Sequence, residues 1–83
     1  MTNKILLVVK VPRLEKTYNI YVPISKKIKT TIDLLIKTIN ELSEGHFPLD
    51  AQCDLVSSNG EVFILNATLK DSNIKNGDTV ILI

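Results

Sequence analysis

At 83 residues the chain has room for one domain with a small core, because a chain this short buries only about 60–65% of the surface it exposes when unfolded. Its 45% hydrophobic and 23% charged residues exclude the polar, charge-heavy profile of a disordered chain. Ten basic residues against nine acidic ones leave a formal charge of +1, so no whole-molecule field exists to hold nucleic acid or an acidic lipid surface.

The first element is KILLVVKV, Lys4 to Val11, a run rich in β-branched residues that reads as a strand. TYNIYVPI, Thr17 to Ile24, follows as a second strand with Tyr18, Ile20 and Val22 on one face. Only Pro12 to Lys16 lie between, a gap suited to a hairpin, so the two are expected to be antiparallel neighbours.

From Lys27 to about Leu42 the period changes. Ile28, Ile32, Leu35, Ile36, Ile39 and Leu42 follow the spacing of one helical stripe. On the opposite face Lys29, Asp33, Lys37 and Glu41 alternate in sign at four-residue steps, each pair worth about 0.2–0.5 kcal/mol. Either Ser25 or a box formed by Thr30 and Asp33 can cap the start, and Gly45 is expected to end the helix through a left-handed residue.

HFPLDAQ reads as a loop in which Phe47 and Leu49 fold back over the core, Pro48 ending any regular element. CDLVSSNGEVFI predicts two short strands, Cys53 to Ser57 and Glu61 to Ile64, about a Ser58-Asn59-Gly60 turn. A polar connection anchored by Leu69 and Ile74 leads to the Asn76-Gly77-Asp78 turn and a final strand, Thr79 to Ile83. The expected class is α+β in the order β-β-α-β-β-β. One long helix packs across a mixed sheet, and a right-handed crossover lets the last strand lie parallel beside the first, a β-grasp roll.

TLKDSNI, Thr68 to Ile74, and NGDTVILI, Asn76 to Ile83, resemble the last third of ubiquitin-like proteins. There a Thr-Leu pair opens a short turn, an Asp follows, and an Ile plugs the core before the final strand. The order of hairpin and helix is similar along the whole chain. Within that superfamily the size, the I-x-x-G-D element and the absence of a tail look most like the EsaB/YukD group, small bacterial proteins that accompany type VII secretion machinery. The resemblance implies a single ubiquitin-like domain over residues 1–83 acting as a non-catalytic accessory or regulatory protein. It also implies no conjugation, since a Gly-Gly tail is missing from the sequence.

Little chemistry competes with that reading. Cys53 is the only cysteine and His46 the only histidine, which excludes an internal disulfide and a Cys/His zinc cluster. Cys53 has no basic neighbour in AQCDL to activate it and reads as a small strand residue. His46 reads as a charge at the helix end or as a solvated loop residue. Lys26, Lys27 and Lys29 form a basic cluster suited to a solvated helix start or an acidic contact, and the glycosylation pattern at Asn66 to Thr68 lacks a secretion signal. Neither metal nor cofactor is expected. The apolar run Ile5 to Val9 is too short for a signal-peptide core or a membrane span. The expected location is the cytoplasm.

The sheet supplies the candidate site. With Ile5, Leu7, Val9, Val80 and Leu82 inward, the outer face collects Leu6, Val8, Tyr21, Ile81, Ile83 and Val56, and one helix cannot cover both faces. A contiguous apolar face marks a protein interface. Its occupant is a protein partner such as a secretion-machinery component or, alternatively, a second copy in a weak homodimer or an adaptor complex of another kind.

Overall fold

In the computed structural model, which describes residues 3–83, the first strand, β1, spans Lys4–Val11 and the second, β2, spans Lys16–Pro23. Ile5, Leu7, Val9 and Val11 alternate inward along β1, where all four are buried. The strands run antiparallel with Leu6 opposite Tyr21 and Val9 opposite Tyr18. A single turn of 3-10 helix, Pro12–Leu14, joins them. Its exit residue Glu15 takes a left-handed φ of 54°, a conformation that costs a non-glycine residue about 1–2 kcal/mol.

Helix α1 spans Ile28–Leu42, and its buried face is Ile28, Thr31, Ile32, Leu35, Ile36 and Ile39. Neither Ser25 nor Thr30 caps it. The N–H groups of Ile28 and Lys29 donate instead to the carbonyls of Ala67 and Leu65, at 2.8 and 3.0 Å. Orphan donors at a helix start need acceptors of some kind, and a loop far along the chain supplies them as backbone.

At the other end the N–H of Glu44 bonds the Glu41 carbonyl and the N–H of Gly45 bonds that of Asn40, at 3.1 and 2.8 Å. These two bonds define a Schellman closure. The left-handed residue that turns the chain is Glu44, with φ 56°, one position before the expected glycine; Gly45 follows at φ 84°. Leu42, expected on the buried stripe, is 55% exposed. Phe47, 1% exposed, joins the core after the turn, as expected. Its N–H donates to Ser43 Oγ and its carbonyl accepts from Asn40 Nδ2. Leu49 does not follow it inward and is 62% exposed, because Ala51 N–H bonds the Pro48 carbonyl and leaves Leu49 on the outside of that turn.

The third strand, β3, is short, Leu55–Ser57, and the fourth, β4, spans Thr79–Leu82. The sheet order is β2-β1-β4-β3. β4 lies parallel to β1, with Val9 opposite Val80, and antiparallel to β3, with Leu55 opposite Leu82. The final strand is therefore held from both sides, as the β-grasp expectation requires.

The expected strand at Glu61 to Ile64 is not formed; only Val62 bridges to Val56. The reason is a competing demand on the chain. After Phe63 N–H bonds the Leu55 carbonyl, the backbone turns away to present Leu65 and Ala67 carbonyls to the helix start. Next, Thr68 organises the TLKDSNI turn: its Oγ1 accepts from Asp71 N–H and its carbonyl from Ser72 Oγ. Leu69 and Ile74 are thereby driven into the core as expected, at 0% and 4% exposed.

Candidate protein-interaction face

The side of the sheet away from α1 is organised by register. Tyr21 and Leu6 face each other across β2 and β1, with Asn19 and Val8 as the next pair. Across β1 and β4 the pairs are Val8 with Thr79 and Lys10 with Ile81; Ile81 in turn faces Val56. The apolar residues thus form a diagonal band. Ile81 lies beside Lys10 and only diagonally from Val8, a different adjacency from a simple cluster of Ile81 with Leu6 and Val8.

Exposure varies along the band. Tyr21 is 65% exposed and Ile83 58%, while Leu6, Val8 and Ile81 are half-buried between their strand neighbours. Val56 belongs to this face by register but is only 5% exposed, and it is Val62, its bridge partner, that is open at 61%. Val62, Lys10 and Thr79 are thus added to the face, and only the pairing of residue 62 with β3 reveals the first of them. Ile83 also lines a cavity of about 250 Å³ at the sheet's end with Pro12, Arg13, Phe47, Cys53 and Leu82.

Cys53 is half-buried against the core. Burial pushes its thiol pKa above the ordinary value, Arg13 opposes that shift, and Asp54 adds to it. A thiol held protonated is a poor nucleophile. His46 Nδ1 lies 2.6 Å from the Ser43 carbonyl, where an Nδ1–H donates to a carbonyl just past the helix end. Lys26, Lys27 and Lys29 are exposed, as is Asn66. Among the described residues no group of three or more His, Cys, Asp or Glu side chains could hold a metal ion, and no helix is long and apolar enough to cross a membrane.

Solved structures share this architecture. The EccD5 ubiquitin-like domain from Mycobacterium xenopi matches with a TM-score of 0.80 at 20% identity, over 96% of this chain and 92% of that one. The ubiquitin-like domain of the Mycobacterium tuberculosis type VII secretion system protein EccD1 matches at 0.76 and 18%, over 96% and 97%. A chain of the MycP5-free ESX-5 inner membrane complex matches at 0.81 and 16%, over 98% of this chain and only 21% of that one. No family model matches the sequence, and no curated protein does. The fold is therefore ubiquitin-like, a β-grasp.

Proposed function

We propose that this chain is a non-catalytic ubiquitin-like accessory protein of a bacterial type VII secretion system, akin to the EsaB/YukD group. It works in the cytoplasm by binding a protein component of that machinery. The observation that carries the reading is the sheet face bearing Leu6, Val8, Tyr21, Ile81 and Ile83, with Val56 bridged to the exposed Val62, a face that no other element among the described residues covers. The likeness to EccD domains, one of them within an inner membrane complex, supports the choice of machinery.

The test introduces Val8→Asp and Ile81→Asp separately. A charge on this face sits in water until a partner must desolvate it. Each variant should keep its fold and lose co-purification with the secretion complex from the native host. Unchanged co-purification with both variants would overturn the reading, and a concentration-dependent dimer mass abolished by the same substitutions would assign the face to a second copy of this chain.

A further inference from the structure

β3 is the outermost strand on its side of the sheet, and where it meets β4 a cavity of about 280 Å³ lies among the turns that flank the two strands. That size suits one long side chain or a small polar group. Part of the lining is apolar: Ile74 and Val80 are buried, and Phe63 is half-buried against the core. The rest is polar and of one kind. Glu61 and Asp78 bring carboxylates, Asn59 and Asn73 bring amides, and three serines and a threonine bring hydroxyls. None of the described residues that line it is Lys, Arg or His. Every polar side chain in the wall can therefore accept a hydrogen bond, and none is a donor only.

The turns that carry these groups are fixed by their own hydrogen bonds. Ser57 Oγ accepts from the N–H groups of Asn59 and Glu61 at 3.2 and 3.1 Å. Asp78 Oδ2 accepts from the Lys75 N–H at 2.8 Å, so that its second oxygen, Oδ1, can take a further donor. Walls held in place beforehand lose less freedom when a ligand arrives.

Two carboxylates, a set of neutral acceptors and an aromatic side chain suit a planar cation that only donates. A guanidinium presents five N–H groups in a fixed fork, makes charge-assisted bonds to carboxylates and stacks on aromatic rings. An ammonium has three donors and no plane. A metal ion is the poorer occupant, because Glu61 and Asp78 are the only charged groups among the described lining residues. The place of the cavity says where the guanidinium comes from. Thr79 in its wall pairs with Val8 of the outer face, and Glu61 and Phe63 flank Val62, 61% exposed on that face. The cavity is the polar end of the apolar band.

We propose that this cavity receives the guanidinium of an arginine carried by the protein that covers the outer sheet face. The source of the arginine rests on that face being a protein interface, whereas the guanidinium site does not.

The test titrates the isotope-labelled full chain with acetyl-arginine methylamide and follows amide chemical shifts. Shifts at Asn59, Glu61, Phe63, Asn73 and Thr79 should saturate with a Kd of about 1–10 mM. The citrulline analogue, which keeps the shape and lacks the charge, and the lysine analogue should each bind at least about fivefold more weakly. Glu61→Gln and Asp78→Asn, the latter keeping an oxygen for the Lys75 N–H, should each weaken arginine binding about two- to fivefold with the spectrum of the folded chain retained. No saturable shifts in the cavity at about 50 mM probe, equal binding of the citrulline analogue, or unchanged affinity in both variants overturns the site. These outcomes involve no partner, so they are distinct from a failure of the secretion assignment. Undiminished co-purification of the outer face's partner with the double variant overturns the assignment of the arginine to that partner.

Discussion

Replacing Val80 with aspartate and, separately, its neighbour Ile81 with aspartate should have opposite consequences, and the structure sets the sizes. Val80 is 1% exposed, between Val9 on β1 and Ser57 on β3. Its burial contributes about 1.5–3 kcal/mol. An unpaired carboxylate in the same place adds a penalty of about 3 kcal/mol or more. The sum, about 5 kcal/mol or more, is comparable with the roughly 4–12 kcal/mol expected for a domain of this length. Val80→Asp should therefore be largely unfolded at 25 °C. Ile81 is half-buried and faces Lys10 and Val56. Its replacement forfeits about 1–2 kcal/mol of burial and strand preference. Facing Lys10, the new carboxylate recovers about 0.2–1 kcal/mol. A net loss near 1 kcal/mol corresponds to about 4–8 °C in Tm. Urea titration followed by far-ultraviolet circular dichroism measures both variants, with an expected midpoint shift for Ile81→Asp of about 1 M. If Ile81→Asp unfolds the protein while Val80→Asp folds, the strand is displaced by one residue and the proposed interface is really core.

Glu44→Gly should stabilise the fold by about 1 kcal/mol, since a glycine relieves the left-handed strain at the Schellman position; an unchanged or lower Tm would contradict that geometry. Phe47→Ala should cost about 3–5 kcal/mol. Arg13→Ala, which removes the exposed side chain whose guanidinium lies 5.3 Å from the ring centre, should cost no more than about 1 kcal/mol, a contrast read by urea midpoints. Because the Cys53 pKa is raised in the folded state, the folded chain holds the thiol proton more tightly than the unfolded chain. The resulting stabilisation is fully present below about pH 8.5 and is lost as pH rises through the folded value. Wild-type Tm should fall more steeply than that of Cys53→Ser between pH 8 and 10, and parallel curves would refute the shift.

The parts of the fold legible in sequence are those set by local periodicity. β1 is a continuous apolar, β-branched run, α1 carries a five-residue apolar stripe from Ile28 to Ile39, and Leu69 and Ile74 are isolated apolar anchors in polar surroundings. What was hidden depends on partners distant along the chain. Nothing local tells that α1 is capped by carbonyls of Leu65 and Ala67, yet that capping is why Val62, Ile64 and Leu65 end up exposed instead of completing a strand. The outer face follows from alternation alone. Its internal arrangement does not, because the stagger between β1 and β4 is set by Asn76, whose side chain takes the Leu6 N–H in place of a strand neighbour. That stagger puts Lys10 rather than Val8 beside Ile81. Val56 could be assigned to the face by register, but its burial depends on where residue 62 folds.

The central claim is that the uncovered sheet face meets a protein of the secretion machinery. The most direct measurement replaces Tyr21, the most exposed of the large hydrophobic residues on that face, with a photo-crosslinking amino acid in the native host, with Lys37 on the solvent side of α1 as the comparison site. Adducts are identified by mass spectrometry after illumination of intact cells. The account predicts that the Tyr21 position crosslinks to a type VII secretion component and that the Lys37 position does not. Adducts to that component from Lys37 with none from Tyr21, or Tyr21 adducts made only of proteins outside the secretion system, would contradict it.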